Sequence, residues 1–174
     1  VVVAKTMTTR ELTRFDSDGI VALYRELGDR SRALRFGAPM PTLTDRTIQE
    51  LVALDGHTRA ALGVFRTGAL VAEGRWVRLG EGSTTAEAAF TVSDRHQRRG
   101  LGTHLLDAVA EHARGLGIET LVFTVSGENR GMAALLARRG IRLSYRGGSG
   151  EASLSLVTAA SVGALEPDAW MRSA

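Results

Sequence analysis

Gln97-Arg98-Arg99-Gly100-Leu101-Gly102-Thr103 is the stretch that decides the fold. It follows a strand-like run, Ala86-Glu87-Ala88-Ala89-Phe90-Thr91-Val92, and opens into a helix-like run from Leu101 to Leu116. Leu105, Leu106, Val109, Ala113 and Leu116 recur at helical spacing and are the expected buried stripe. A glycine-bearing turn between a strand end and a helix start is a place to hold an anion. The glycines let the backbone approach closely, and the first helical N–H groups have no partner inside the helix. Two arginines in the turn add fixed positive charge.

Working outward, the segments upstream divide into two kinds. Thr8 to Thr13 reads as a short strand, and Asp16 as the cap of a helix burying Ile20, Leu23, Tyr24 and Leu27. Ser31 to Phe36 adds a helical turn before the proline loop Gly37-Ala38-Pro39-Met40-Pro41, and Thr44 caps a helix carrying Ile48, Leu51 and Val52. The periodicity then changes to that of strands at Arg59–Arg66, Ala69–Leu79 and Thr84–Val92, joined at Thr67-Gly68 and Gly80–Ser83. Downstream, Glu119–Val125 is a nearly continuous apolar strand, as expected when both faces are covered. Asn129–Arg139 reads as a helix with Met132, Leu135 and Leu136 inward. Ile141–Arg146 and Glu151–Val157 form a last hairpin around Gly147–Gly150, and the tail after Thr158 has no clear pattern.

This order predicts a mixed α/β (α+β) domain with a central, mostly antiparallel sheet flanked by helices. Residues 84–125 form its one parallel, right-handed βαβ crossover. Ligands in such sheets favour the carboxyl ends of strands, where the glycine turn lies. The expectation is a single domain over 1–174, with a motif-bearing core over about 8–157.

Composition removes several function classes. There is no cysteine, so disulfides, thiolate metal sites and a Cys nucleophile are out. The four histidines form no HExxH pattern, and no metal is expected. No apolar run is long enough for a membrane helix, so no membrane partner is expected and the cytoplasm is the default location. Val1–Lys5 is too short for a signal peptide; Met7 reads as the initiator. The net charge is +3, and Lys5 is the only lysine among 22 basic residues. The arginines are dispersed except for Arg95, Arg98 and Arg99, so no nucleic-acid partner is expected.

The turn is neither a dinucleotide fingerprint nor a P-loop. A third glycine would fall at Leu105, and no Gly-Lys-Ser/Thr follows. By residue content alone an ordinary helix start serves equally well. The order of elements distinguishes them: Gln97-x-x-Gly100-x-Gly102 between strand and helix resembles the acetyl-CoA pyrophosphate motif of the GNAT N-acetyltransferase superfamily. Asn129-x-x-Met132-x-x-Leu135-Leu136-x-x-x-Gly140-Ile141 looks like that family's last helix. A narrower pattern, Arg35-Phe36 before the proline loop and Ala86–Val92 running into Gln97, is similar to the catalytic domain of bacterial Pat-type protein lysine acetyltransferases. Such domains are often fused to a regulatory nucleotide- or amino-acid-binding domain. No stretch here is long enough for one, so nucleotide regulation is not carried over.

The resemblance implies acetyl-CoA as cosubstrate and a primary amine as acceptor, a protein lysine first and a small amine second. Gln97, Arg98, Arg99, Gly100, Leu101, Gly102 and Thr103 would hold the pyrophosphate, with at least one of the two arginines simply solvated. Phe90, Thr91 and Val92 resemble the strand segment that pairs with the pantetheine arm, and Asn129 a side-chain contact that doubles as a helix cap. Glu87 is the expected base. An amine of pKa near 10.4 is almost wholly protonated at neutral pH, and a carboxylate raised by burial in a cleft can take its proton. Alternatively, Glu87 is an outward-facing residue of a half-solvated strand. The family's usual acid is a tyrosine at the position matching Leu136, which keeps a silent acyl-CoA-binding module as the rival reading. Acceptor loops are expected near 31–57 and 141–157, and the final hairpin and tail offer an edge for a homodimer.

Overall fold

The computed structural model describes residues 7–157. Expectations placed on Val1–Lys5 and on the tail after Thr158 lie outside the described residues. Seven strands form one sheet in the order β1-β2-β3-β4-β5-β7-β6. They are β1 (Met7–Glu11), β2 (Arg59–Arg66), β3 (Ala69–Arg78), β4 (Thr85–Val92), β5 (Thr120–Ser126), β6 (Ser144–Arg146) and β7 (Ser149–Ser155). All neighbours are antiparallel except β4 and β5, which run parallel on either side of α4 (Leu101–Gly115). The mixed sheet with one parallel crossover is the architecture expected from the order of segments.

Both faces of the sheet are covered, so the middle of β3 is buried on either side. On one face α4 packs Leu105, Leu106 and Val109 against Ala72, Trp76, Ala86, Ala88 and Phe123. The helix α5 (Arg130–Arg138) adds Leu136 to this cluster, and Arg139 is ion-paired with Asp107 of α4. The helices α1 (Ser17–Arg25) and α3 (Asp45–Val52) cover the other face, where Ile20, Leu23, Tyr24 and Leu51 surround Leu12, Ala61 and Leu70. Alternation along β4 therefore sends Ala86 and Ala88 towards α4, and Glu87, Ala89 and Thr91 to the opposite face. The remaining helix, α2 (Asp29–Phe36), lies against β4.

Four local expectations change. Asp16 does not cap α1; its carboxylate accepts from Thr13 N at 2.9 Å and binds the Arg10 guanidinium at 2.6 Å. It thereby closes a capping box on the 3-10 turn Arg14–Asp16. Leu116 falls just past the end of α4 and is exposed, because the chain leaves the helix at Gly115. In β5 only alternate residues, Leu121, Phe123 and Val125, are buried. The last hairpin turns on two residues alone, Gly147 and Gly148, both with positive φ, so Arg146 pairs directly with Ser149.

One detail of the crossover builds the site. β4 and β5 pair only at Thr85↔Thr120, Ala86↔Leu121 and Glu87↔Val122. Beyond Glu87 the strands part, while β5 keeps its pairing with β7 as far as Ser126. The sheet opens into a wedge whose apex is Glu87.

Candidate functional site

The wedge is a cleft of about 800 Å³. Ala88 to Val92 form one wall, and Phe123, Thr124 and Val125 the other. Its floor on the α4 side is closed by stacked Phe90 and Phe123, with ring centroids 6.4 Å apart. Phe90 is seated by a close backbone approach, since a Cβ on Gly74 opposite would meet the Phe90 ring at 2.8 Å.

The glycine turn closes the wide end. Gln97 ties it to its surroundings: its side-chain amide donates to Val92 O at 3.2 Å, Asp94 Oδ1 at 3.0 Å and Ser31 Oγ of α2 at 3.2 Å. Asp94 in turn accepts from Gly28 N at 2.9 Å, which fixes the start of α2 against the turn. Arg98 and Gly100 both hold left-handed backbone, at φ 60° and 83°. Gly100 is the residue before α4, where it supplies no side-chain cap, and no acidic residue occupies the first turn. The leading N–H groups of a 15-residue helix are thus left for an outside anion.

The cleft gathers Phe90, Thr91 and Val92 from β4; Gln97, Arg98 and Gly100 from the turn; Leu101, Gly102 and Thr103 from α4; and Asn129. Asn129 caps α5, its Oδ1 accepting from Met132 N at 3.0 Å, and stands in the wall at the same time. Arg99 is exposed and outside the lining, so of the two turn arginines only Arg98 faces the cleft. Glu87 is exposed and also outside the lining, one residue beyond Ala88, where the cleft narrows to the paired strands. The burial expected around it is absent, and its exposure is that of the outward-facing alternative. Leu136 is fully buried in the core beneath the cleft.

Residues to which the sequence reading gave no site role complete the cleft. Arg30, Ser31, Leu34 and Arg35 of α2 form a third wall, and Met132, Leu135 and Arg138 of α5 a fourth. Five arginines (Arg30, Arg35, Arg98, Arg130 and Arg138) line the cleft against one carboxylate, Glu128. Such a lining favours an anionic ligand. His96 also faces the cleft, with Nδ1 2.7 Å from Ser93 Oγ; burial and then the neighbouring Arg66, Arg99 and Arg95 push its pKa down.

Under the wall lies a buried polar network. Glu73 of β3 accepts from Tyr24 Oη at 2.5 Å and from Arg75 Nε and Nη2 at 2.8 Å each. Arg75 Nη1 donates to Leu51 O at 3.1 Å, Thr91 Oγ1 to Tyr24 Oη at 3.0 Å, and Arg35 Nε to the same Oη at 3.2 Å. Burial pushes the Glu73 carboxyl up, but the Arg75 guanidinium outweighs it and the net direction is down. Burial and the Glu73 charge raise the Tyr24 phenol. The signal in the sequence was Glu73-x-Arg75, two opposite charges on one face of a strand otherwise apolar.

The comparisons with known proteins agree with this geometry. The model of the acetyltransferase (GNAT) family matches residues 18–141. The chain belongs to the GNAT family of N-acetyltransferases. Acetyltransferase Pat of Mycolicibacterium smegmatis is 37% identical to it over 73 residues, which is 42% of this GNAT chain and 22% of that protein. The alignment thus spans about a fifth of the curated relative's length. The crystal structure of the GNAT domain of S. lividans PAT superposes with a TM-score of 0.78 at 29% identity, covering 84% of this chain and 89% of that one. A Salmonella typhimurium acetyltransferase solved with its cofactor acetyl-CoA has a TM-score of 0.69 at 20% identity, covering 94% of this chain and 98% of that one. At that identity the second likeness speaks for the GNAT fold alone.

Proposed function

We propose that this GNAT chain transfers the acetyl group of acetyl-CoA to a primary amine, a protein lysine in the first place, with Glu87 as the base. The observation that carries the reading is the wedge itself: an open strand edge, Ala88–Val92, runs from an anion-binding turn to an exposed carboxylate at its apex.

The residues present fit acetyl-CoA. Its pyrophosphate suits the uncapped N-terminus of α4, the turn glycines and Arg98. Its pantetheine amides suit the unpaired backbone of β4, and its length suits a cleft of about 800 Å³. When bound, it supplies an activated thioester. In the overall transfer one C–N bond forms, the C–S bond breaks, and the amine loses one proton. Glu87 accepts that proton, directly or through one water, and its exposed position lets a lysine reach it from outside. The backbone of β4 orients the reacting arm, and the Phe90–Phe123 floor keeps water off its α4 side.

Glu87→Gln keeps the size and removes the base. Turnover with a lysine acceptor, followed by CoA release, should fall by about 10²-fold or more, with acetyl-CoA affinity unchanged. Equal turnover in variant and parent removes Glu87 from the mechanism. The rival, a silent acyl-CoA-binding module, has one observation in its favour. Leu136 occupies the usual acid position deep in the core, and no tyrosine lines the cleft among the described residues. Thermal-shift binding of acetyl-CoA with no CoA release across a panel of amines and proteins would select that rival.

A further inference from the structure

We propose that Arg35 is the acceptor's anchor: it binds a carboxylate that the acceptor carries beside its reacting lysine. The acceptor class is then a lysine flanked by aspartate or glutamate. The inference rests on the transferase reading above and narrows its substrate.

The start of α2 is fastened to the glycine turn through Ser31 and Gly28, at the phosphate end of the cleft. Arg35 lies one helical turn further on, about 6 Å along the axis, towards the apex. There its Nε is held by Tyr24 Oη at 3.2 Å, and the same hydroxyl accepts from Thr91. Held with its pyrophosphate at the turn, acetyl-CoA would offer only its uncharged pantetheine arm here, with nothing for a guanidinium to answer. Thr91, Ala89 and Glu87 share one face of β4, the face opposite α4. Thr91, which shares the Tyr24 hydroxyl with Arg35, and Glu87 therefore lie on the same side of the wedge, four residues or about 13 Å apart along the strand. Arg35 lines the cleft and Glu87 stands exposed at its apex, which leaves room for a short spacer between an amine at Glu87 and an anion at Arg35. The residue between them, Ala89, is small and lines the cleft.

Charge accounting points the same way. Glu73 is the carboxylate nearest this network, and Arg75 already engages both of its oxygens. Arg35 also helps to hold the Glu73 carboxyl down, but after Arg75, and donates no hydrogen bond to it. Both terminal amino groups of Arg35 lack a hydrogen bond or ion pair among the described residues, although the side chain is half-buried. Its fork is oriented through Nε and by the rings of Tyr24 and Phe36, 5.8 and 5.4 Å from the guanidinium carbon. An oriented guanidinium with its outer edge open is the geometry that takes a carboxylate in two parallel bonds.

The test uses two blocked peptides, one with a single lysine between two aspartates and a twin with asparagines. CoA release gives kcat/KM, and calorimetry on the CoA-saturated protein gives peptide affinity without turnover. The parent should favour the aspartate peptide by about tenfold or more in both readouts. Arg35→Gln should bring the twins to within about twofold, and Arg35→Lys should keep part of the preference. A cooperative thermal unfolding transition checks that the variants fold. Equal handling of the twins by the parent, no binding of either, or a preference that survives Arg35→Gln overturns the proposal. Preferential binding of the aspartate peptide without acetylation sinks the transferase reading instead and leaves the anion site standing. Acetylation of both peptides at equal rates does the reverse.

Discussion

Glu73 and Arg75 show how little a residue's own chemistry says about its surroundings. Two charges separated by one residue would mark a solvated face on most strands. Here Tyr24 of α1 and Leu51 of α3 lie over that face, and the pair is 1% and 8% exposed. Nothing local in β3 announces this, because the cover comes from segments far away in sequence. The ion pair is a positioning device for the cleft wall, since Tyr24 passes its hold on to Thr91 and Arg35. Arg75→Met leaves a buried carboxylate without its hydrogen-bonded cation, and should cost about 3–5 kcal/mol in urea unfolding. A loss under about 1 kcal/mol would mean that Glu73 takes up a proton or finds water instead. Glu87, by contrast, was legible in the sequence as a carboxylate among alanines, but its burial was not. A single strand cannot tell which of its faces a neighbour will leave open.

At the scale of elements, helices and strands were legible because their apolar spacing is regular, and their ends much less so. Thr44 caps α3 as its position implied, accepting from Thr47 N at 3.2 Å. Asp16 looked like the same kind of cap, yet Arg10 of β1 draws it away. A side chain with two possible partners is decided by tertiary contact. This choice carries a pH dependence. The Arg10 hydrogen bond, reinforced by the Thr13 amide and hydroxyl, lowers the Asp16 carboxyl from 3.8 to about 2. The folded value lies below the unfolded one, so the unfolded chain binds more protons in that interval. The contribution to stability is complete above 3.8 and disappears as the pH falls towards about 2. Asp16→Asn should flatten this part of the acid limb in denaturant titrations run at a series of pH values. Parallel limbs for variant and parent would show that Arg10 and Asp16 do not hold each other in solution.

For the whole molecule, the order of segments was enough to give the sheet, the crossover and the place of the anion turn. It was not enough to give the walls contributed by α2 and α5: Arg35, Met132 and Leu135 stand in the quoted patterns, but that they face a cleft depends on how the two helices pack. Arg35 is one such residue, and the role proposed for it depends on a strand that lies more than fifty positions away. The parting of β4 from β5 has a further consequence. A β-strand edge on the outside of a protein invites another sheet to add to it, and natural proteins usually blunt such edges with charge or proline. Here the edge of Ala88–Val92 opens inside the molecule, walled by α2, β5 and α5. No flat sheet can dock there, but a single slender chain can slide in. The fold thus carries a vacancy one strand wide, protected from aggregation by its own walls. Amides of 88–92 that face this vacancy should exchange with deuterium far faster than those facing β3. Adding CoA should slow that fast set while leaving the β3-facing set as it was, a result that would make the cosubstrate the sheet's eighth strand.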